Sequence, residues 1–411
     1  MSTPAVSGKR DARAPHIFLV AGEESGDRLG GALMAALKEQ TQGRVRFSGV
    51  GGEQMAAQGL ASLFPLGELA IMGFTAIPAR LPKILRRIRE TADAAIAAQP
   101  DVLVIIDSPE FTHRVARRVR NSAPGIPIVD YVCPSIWAWR PGRARAMRAY
   151  VDHVLALLPF EPAAMVRLGG PACTYVGHSL SEQVDALRPN ADEARRRLSD
   201  PPLLLVLPGS RRSEIEHMAE PFGEVLAHIS DRVGALDIVV PTVPRLADVA
   251  QAAIARWRVP ARLVTDPAAK LAAFRTARAA LTKSGTSTLE LALSEVPMVG
   301  GYKVSYLEAV VGALVIKSSS AILANLVLGE NVIPEFLQWH WTTEKACGAL
   351  LPLLSDTPER RRQLAAFARL DAIMETATAS PGQRAAAIVL EYTGGLHHPQ
   401  GETVAPATPT A

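Results

Sequence analysis

At 411 residues, with 48% hydrophobic side chains and a mean hydropathy of +0.13, the chain is longer than one ordinary domain and apolar enough to fill two cores. Its 44 Lys and Arg against 40 Asp and Glu leave a formal net charge of +4, which does not support nucleic-acid binding as a property of the whole protein. Three widely spaced cysteines, Cys133, Cys173 and Cys347, make neither a Cys-x-x-Cys metal pattern nor a disulfide framework, and a reducing compartment is the simplest reading.

Residues 1–14 are polar and small, and read as a disordered N-terminus. The apolar run 17–21 is too short for a signal-peptide core, so export is not expected. No run reaches the ~18 consecutive apolar residues of a spanning helix. The longest candidate, 309–316, is bounded by Glu308 and Lys317.

Residues 16–21 predict a strand and 29–39 a helix, with Gly22-Glu23-Glu24-Ser25-Gly26-Asp27 as the turn between them. Such a turn lies at the carboxyl end of a strand, where open α/β sheets place their sites. Neither this turn nor Gly49-Val50-Gly51-Gly52 has G-x-G-x-x-G spacing, and no Walker lysine pattern occurs. No dinucleotide cofactor or P-loop phosphate site is therefore expected.

The segment 69–90 departs from a regular α/β pattern, being apolar first and then basic, with Arg80, Lys83, Arg86, Arg87 and Arg89. Two readings fit: a segment lying on an anionic bilayer, or a core-facing helix with a solvated basic face.

Strand-like runs at 102–107, 127–132, 153–158 and 174–176 predict a doubly wound parallel sheet in a first domain, 15–190. The polar stretch 181–200, closed by Pro201-Pro202, reads as a boundary. A second series at 203–207, 238–240, 262–264, 279–282 and 297–300 predicts a second α/β domain, 200–345, facing the first across a cleft. Helices over 346–392 and a mobile tail, 393–411, complete the expected layout.

Four constellations bear on chemistry. Asp107 ends the run VLVIID, where its carboxylate suits either a general base at the cleft or a helix cap. The loop 133–140 carries Trp137, Trp139 and Arg140, with the core or the domain interface as the common fate of such indoles. Leu207-Pro-Gly-Ser-Arg-Arg places Arg211 and Arg212 at a helix start, where a guanidinium fork matches phosphate oxygens, although Ser213-x-x-Glu216 also reads as a capping box. Ser284-Gly285-Thr286 opens a further helix and is the predicted seat of a diphosphate, because unpaired N–H groups and the helix dipole face the ligand there. Glu290, one turn on, suits the paired hydroxyls of a ribose or a capping box with Ser287. No Asp-x-Asp carboxylate pair is present to hold a divalent ion on such a diphosphate, so no metal is expected.

Taken together and in order, Ala21-Gly-Glu-Glu-Ser-Gly-Asp27, Gly49-Val-Gly-Gly52, Asp107-Ser-Pro-Glu-Phe111, Pro134-Ser-Ile-Trp-Ala-Trp-Arg140, Leu158-Pro-Phe-Glu161, Leu207-Pro-Gly-Ser-Arg211 and Ser284-Gly-Thr286 resemble the lipid-A-disaccharide synthases. The resemblance spans 17–338. It implies α/β architecture of the GT-B type, two Rossmann-like domains facing across a cleft. It also implies an inverting, cofactor-free and metal-independent reaction in lipopolysaccharide biosynthesis. In that reaction UDP-2,3-diacylglucosamine and 2,3-diacylglucosamine 1-phosphate give a β-1,6-linked lipid A disaccharide 1-phosphate and UDP.

Under this resemblance Asp107 is the catalytic base, and Gly209, Ser210, Arg211, Ser284, Gly285, Thr286, Glu290 and Asn325 bind the donor. Glu23, Ser25, Gly26 and Asp27 bind the acceptor. Ile71, Met72, Phe74, Ile77, Leu81, Ile84 and Leu85 meet the anionic cytoplasmic face of the inner membrane of a Gram-negative bacterium, as a peripheral protein. Homodimerisation is left open. Departures from the family pattern are Glu110 and Thr112 for Asp and Asn, Cys133 for Ser, Ser179 for Pro, and Ala324 for Pro. A sugar-nucleotide epimerase of the same two-domain architecture is the alternative enzyme, and an exported solute-binding protein the non-catalytic one.

Overall fold

The computed structural model describes residues 13–69, 77–305, 320–375 and 379–394, with the backbone alone for 77–80. Strands β1 (His16–Ala21), β2 (Arg46–Val50), β3 (Val102–Ile106), β4 (Ile128–Tyr131), β5 (His153–Ala156) and β6 (Ala172–Tyr175) form one sheet in the order β2-β1-β3-β4-β5-β6. A second sheet holds β7 (Leu203–Leu207), β8 (Asp237–Pro241), β9 (Ala261–Val264), β10 (Ala279–Lys283), β11 (Met298–Tyr302) and β12 (Glu335–Leu337), in the order β12-β11-β10-β7-β8-β9. Every pairing is parallel. Sheets of this kind carry helices on both faces, which is why β1, β3 and β7 are buried from end to end and read as unbroken apolar runs.

The predicted pair of doubly wound domains is thus present, in the GT-B arrangement. Strand order reverses between β1 and β3 in the first sheet and between β7 and β10 in the second. Register brings the chain ends level at both places: Ala21 pairs with Ile106, and Leu207 with Thr282. The turns that follow these strands are consequently neighbours in space, although about 85 and 75 residues apart in the chain.

Two elements differ from expectation. The first helix runs Glu24–Gln40, so Ser25, Gly26 and Asp27 belong to its opening turn rather than to a loop. Gly26 had read as a turn signal, yet its role is close approach: a Cβ there would lie 3.0 Å from the Ile106 carbonyl oxygen. The edge strand β12 has three half-buried residues, too few to show an alternating pattern.

Both ends of the chain build the first domain. The last helix, Pro381–Thr393, sets Ala385, Ala386 and Val389 into the cluster formed by Ile17, Leu19, Leu33 and Leu37. Gln40 Nε2 donates to the Gln383 carbonyl at 2.8 Å, and the Tyr392 hydroxyl lies 3.1 Å from His153 Nδ1.

The helix Ile77–Ala98 resolves part of the apolar-basic segment. Ile88 is buried and Ile84 packs against the same core, whereas Leu81 and Leu85 are 42% and 39% exposed. Lys83 and Arg87 turn back onto Glu68 at 3.2 and 2.6 Å, and the Arg87 guanidinium covers the Phe64 ring at 4.4 Å. Ile71, Met72 and Phe74 lie outside the described residues, as do the side chain of Ile77, the run 309–316 and most of the two chain termini. No helix among the described residues is long and apolar enough to cross a membrane.

Candidate active site

In the first domain the crevice lies beyond β1 and β3. Asp107 leaves β3 with φ 56° and Ser108 follows at 45°, two consecutive non-glycine residues in the left-handed region. Such backbone costs on the order of 1–3 kcal/mol per residue and persists only where its surroundings hold it. Thr112 does so, donating its hydroxyl to the Asp107 carbonyl at 2.7 Å and lying 3.1 Å from the Ser108 carbonyl. The departure from the family's residue at 112 therefore keeps a side chain that grips this turn. The half-buried Asp107 carboxylate accepts from the Ser25 hydroxyl at 2.6 Å and from the Ser108 N–H at 2.7 Å. Both donors are neutral.

Glu23 and Glu24 are exposed beside this turn, and Gly26 is buried beneath it. Asp27 has other work. Buried, it accepts from the N–H groups of Gly52, Gln54 and Met55 at 2.7, 2.9 and 3.1 Å. It thereby caps the helix Glu53–Ala57 and pins the turn after β2 to the first helix.

The loop after β4 forms the next wall. Trp137 Nε1 donates to Glu161 at 3.1 Å, and the indole meets the Phe160 ring edge-on, 5.0 Å between centroids. The same indole packs against a cluster in which Leu158, Val184 and Leu187 join the core of the second sheet, so its place is where the cores of the two halves meet. Glu161 also accepts from the Leu158 N–H at 2.9 Å. Burial pushes the Glu161 pKa up to about 7, partly offset by these hydrogen bonds.

The second crevice lies beyond β7 and β10. Gly209 and Gly285 open its two turns at φ 150° and 152°, backbone that glycine adopts readily and other residues do not. Glu214, 5% exposed on the first turn of the helix Arg212–Val233, accepts from the N–H groups of Ser210 and Arg211 at 2.8 and 3.2 Å. Its second oxygen takes the Lys283 ammonium at 2.9 Å and Arg211 Nη1 at 3.3 Å. Burial works against the Glu214 charge, but Lys283 and the Ser210 N–H outweigh it and hold the pKa below the ordinary carboxylate value. Ser213-x-x-Glu216 does not form a capping box, because the helix begins at Arg212 and Glu216 instead pairs with Arg212 at 3.6 Å.

In the facing turn Ser284 is buried, and its hydroxyl has no hydrogen-bond partner among the described residues. Thr286 is the N-cap of the helix Ser287–Leu293 and makes no side-chain cap. Glu290 likewise makes no capping box; it accepts from Lys270 Nζ at 2.6 Å. Asn325 is buried, with its amide committed to the loop ahead of β12: Nδ2 donates to the Ile333 carbonyl at 3.0 Å, and Oδ1 accepts from Val332 and Ile333 at 3.1 and 2.9 Å.

The structure thus has two switch-point crevices, one with a strained aspartate and one with paired glycine turns and cations. The chain matches the family model of lipid-A-disaccharide synthetase over residues 17–389. The chain belongs to the lipid-A-disaccharide synthase family. It is 63% identical over 375 residues to the lipid-A-disaccharide synthase of Nitrobacter hamburgensis, which covers 91% of this chain and 95% of that one. Among solved structures it is similar to the glycotransferase of kitacinnamycin, with a TM-score of 0.56 and 17% identity over 93% of this chain and 100% of that one. It is similar also to a UDP-N-acetylglucosamine 2-epimerase, with a TM-score of 0.56 and 10% identity over 95% of this chain and 99% of that one. At these identities the solved structures share the fold alone, and the epimerase alternative has no more than that likeness. Membership of the lipid-A-disaccharide synthase family makes the chain a glycosyltransferase of lipid A biosynthesis.

Sequence reasoning missed Glu214, Lys283 and Lys270, which carry the charge balance of the second crevice. A signal existed for Lys283, a lysine closing an otherwise apolar strand next to the Ser284 turn. Nothing local marked Lys270, whose partner lies 20 residues away, and Glu214, besides its bonds to the neighbouring Ser210 and Arg211, meets the Lys283 ammonium 69 residues away.

Proposed function

We propose that the cleft condenses UDP-2,3-diacylglucosamine with 2,3-diacylglucosamine 1-phosphate, with Asp107 as general base and the second crevice as the seat of UDP. The primary hydroxyl of the acceptor is a weak nucleophile while it keeps its proton. Asp107 takes that proton as the oxygen attacks the anomeric carbon from the face opposite UDP, which inverts the configuration there. The bond between the anomeric carbon and the β-phosphate oxygen breaks, and its electron pair leaves with UDP. The observation that carries this reading is the Asp107 turn: a carboxylate on strained backbone at a switch point, held by the Ser25 and Ser108 donors.

Ser25 orients the base, Gly26 lets the first helix approach β3, and Asp27 shapes the floor of the acceptor side, with Glu23 at its rim. On the donor side the N-terminus of the helix Ser287–Leu293, with Ser284, Gly285 and Thr286, faces the diphosphate, and Gly209, Ser210 and Arg211 close over it. Glu290 exchanges Lys270 for the ribose hydroxyls. Asn325 supports this side from below by holding the loop at Val332 and Ile333. Charge on the leaving group is met by protein cations and N–H groups without a divalent metal, in keeping with the lack of an Asp-x-Asp pair in the chain. The protein works at the cytoplasmic face of the inner membrane, with Leu81 and Leu85 toward the acyl region; their exposure beside a basic helix face supports this orientation.

The test is incubation of purified protein with both diacyl sugars, with and without chelator, and detection of disaccharide and UDP by mass spectrometry. Absence of disaccharide would overturn the reaction. Loss of activity on chelation, restored by Mg²⁺ or Mn²⁺, would overturn the metal-free mechanism alone.

A further inference from the structure

We propose that Lys283 is the cation that receives the departing diphosphate, and that buried Glu214 acts as a positioning residue that holds it between the two turns beforehand. This rests on the donor site proposed above and adds to it a residue that no motif had singled out.

The position of the ammonium is fixed from three sides. Glu214 Oε1 lies 2.9 Å from Nζ. A Cβ placed on Gly285 would lie 3.3 Å from the same nitrogen, so the charge rests against the backbone of the turn meant for the diphosphate. The Tyr302 ring flanks it at 5.1 Å. Glu214 in turn reaches the opposite turn, its other oxygen taking the N–H groups of Ser210 and Arg211. One ion pair, buried at its Glu214 end, therefore ties the end of β10 to the turn after β7 across the crevice.

That tie leaves capacity to bind. An ammonium has three N–H donors, and among the described residues Glu214 is the one hydrogen-bond acceptor that Lys283 meets. Lys283 is 19% exposed in its side chain against 77% for Arg211, so its charge is already placed, whereas Arg211 has to be ordered by the ligand. Next to it the buried Ser284 hydroxyl lacks a partner among the described residues, a second polar group open to a ligand.

The chemistry needs a cation at this spot. The acceptor oxygen bonds to the anomeric carbon, its proton passes to Asp107, and the bond from that carbon to the β-phosphate oxygen breaks with both electrons going to the phosphate. UDP thus leaves with one more negative charge than the diphosphate of the sugar nucleotide carried. A cation preset in a partly desolvated crevice stabilises that developing charge without reorganising. Glu214 keeps the Lys283 ammonium aimed, and a diphosphate oxygen joins as a second acceptor.

The experiment compares Lys283→Met, Lys283→Arg and the double variant Lys283→Met/Glu214→Gln, by calorimetry with UDP and by steady-state turnover of the UDP-sugar. Lys283→Met should weaken UDP binding about tenfold to a hundredfold, the effect of losing a charged hydrogen bond, and should lower kcat as well. Lys283→Arg should recover most of both losses. The single Met variant leaves Glu214 buried without its ammonium, a destabilising change in its own right, so the double variant, which removes the orphaned charge, decides the matter. Wild-type melting temperature with the UDP and kcat losses retained supports the proposal. Wild-type UDP affinity and kcat in the double variant would overturn it, leaving Lys283 as a counter-ion and nothing more. Wild-type protein that binds UDP but forms no disaccharide would instead sink the proposed reaction, while the UDP measurements on Lys283 would still stand.

Discussion

The two crevices are built alike and charged differently. Each lies where strand order reverses, and each centres on a carboxylate that binds the backbone N–H of a turn: Asp107 with Ser108, and Glu214 with Ser210 and Arg211. Asp107 is half-buried and, among the described residues, meets only neutral donors, whereas Glu214 is buried and carries Lys283 and Arg211. The first carboxylate is held by hydroxyl and backbone donors, and the second serves to fix cations. Under the proposed reaction, one architecture would supply a base on one side of the cleft and a leaving-group site on the other.

The largest effect should come from breaking the first carboxylate. Asp107→Asn is expected to reduce turnover by ~10²- to 10⁴-fold while UDP affinity, measured by calorimetry, stays at the wild-type value. A larger pure rate loss in Glu23→Gln or Glu24→Gln would move the base to the first helix and erase the contrast.

Glu161 provides a third carboxylate to set beside the other two, buried and, among the described residues, with no cation as a hydrogen-bond partner. Its folded pKa of about 7 stands above the reference value of 4.5, so folding favours its protonated form. The resulting stabilisation is complete below about pH 4.5 and is lost as pH rises through about 7. Glu161→Gln stays neutral and can still accept from Trp137, so it should gain on the order of 3 kcal/mol over wild type above neutral pH. Urea midpoints across that range should show a flattened pH slope; an unchanged slope would place the titration elsewhere.

On the donor side, Arg211→Ala and Glu290→Ala should each weaken UDP binding by about 1.5–3 kcal/mol without changing the circular dichroism spectrum. Unchanged affinity in both would show that the cationic crevice is not the donor site. The smallest effect concerns the surface beside the cleft. Leu81→Ser with Leu85→Ser should move protein from anionic vesicles to the supernatant in sedimentation, by about tenfold in partition, and leave turnover of detergent-dispersed substrate unaltered. Unfolding of that variant would assign both leucines to the core.

The sequence by itself determined the two-domain α/β architecture, because a strand buried on both faces must be an apolar run and such runs recur at 16–21, 102–107, 203–207 and 279–282. It also determined the family, since ordered motifs such as Asp107-Ser-Pro-Glu-Phe111 and Ser284-Gly-Thr286 sit at the ends of those strands. Partnership between distant side chains was beyond it. Asp27 looked like a ligand contact and caps a helix from 25 to 28 residues away, and Asn325 holds a loop. Glu290 and Ser213-x-x-Glu216 carried capping-box patterns that the helix starts at Ser287 and Arg212 do not use. Glu214 and Lys283 drew no notice until β7 and β10 were side by side. Periodicity and local turn chemistry are properties of neighbours in the chain, and therefore legible in it. Which buried charge meets which is settled by the order of strands in the sheet, and that order exists only in the folded molecule.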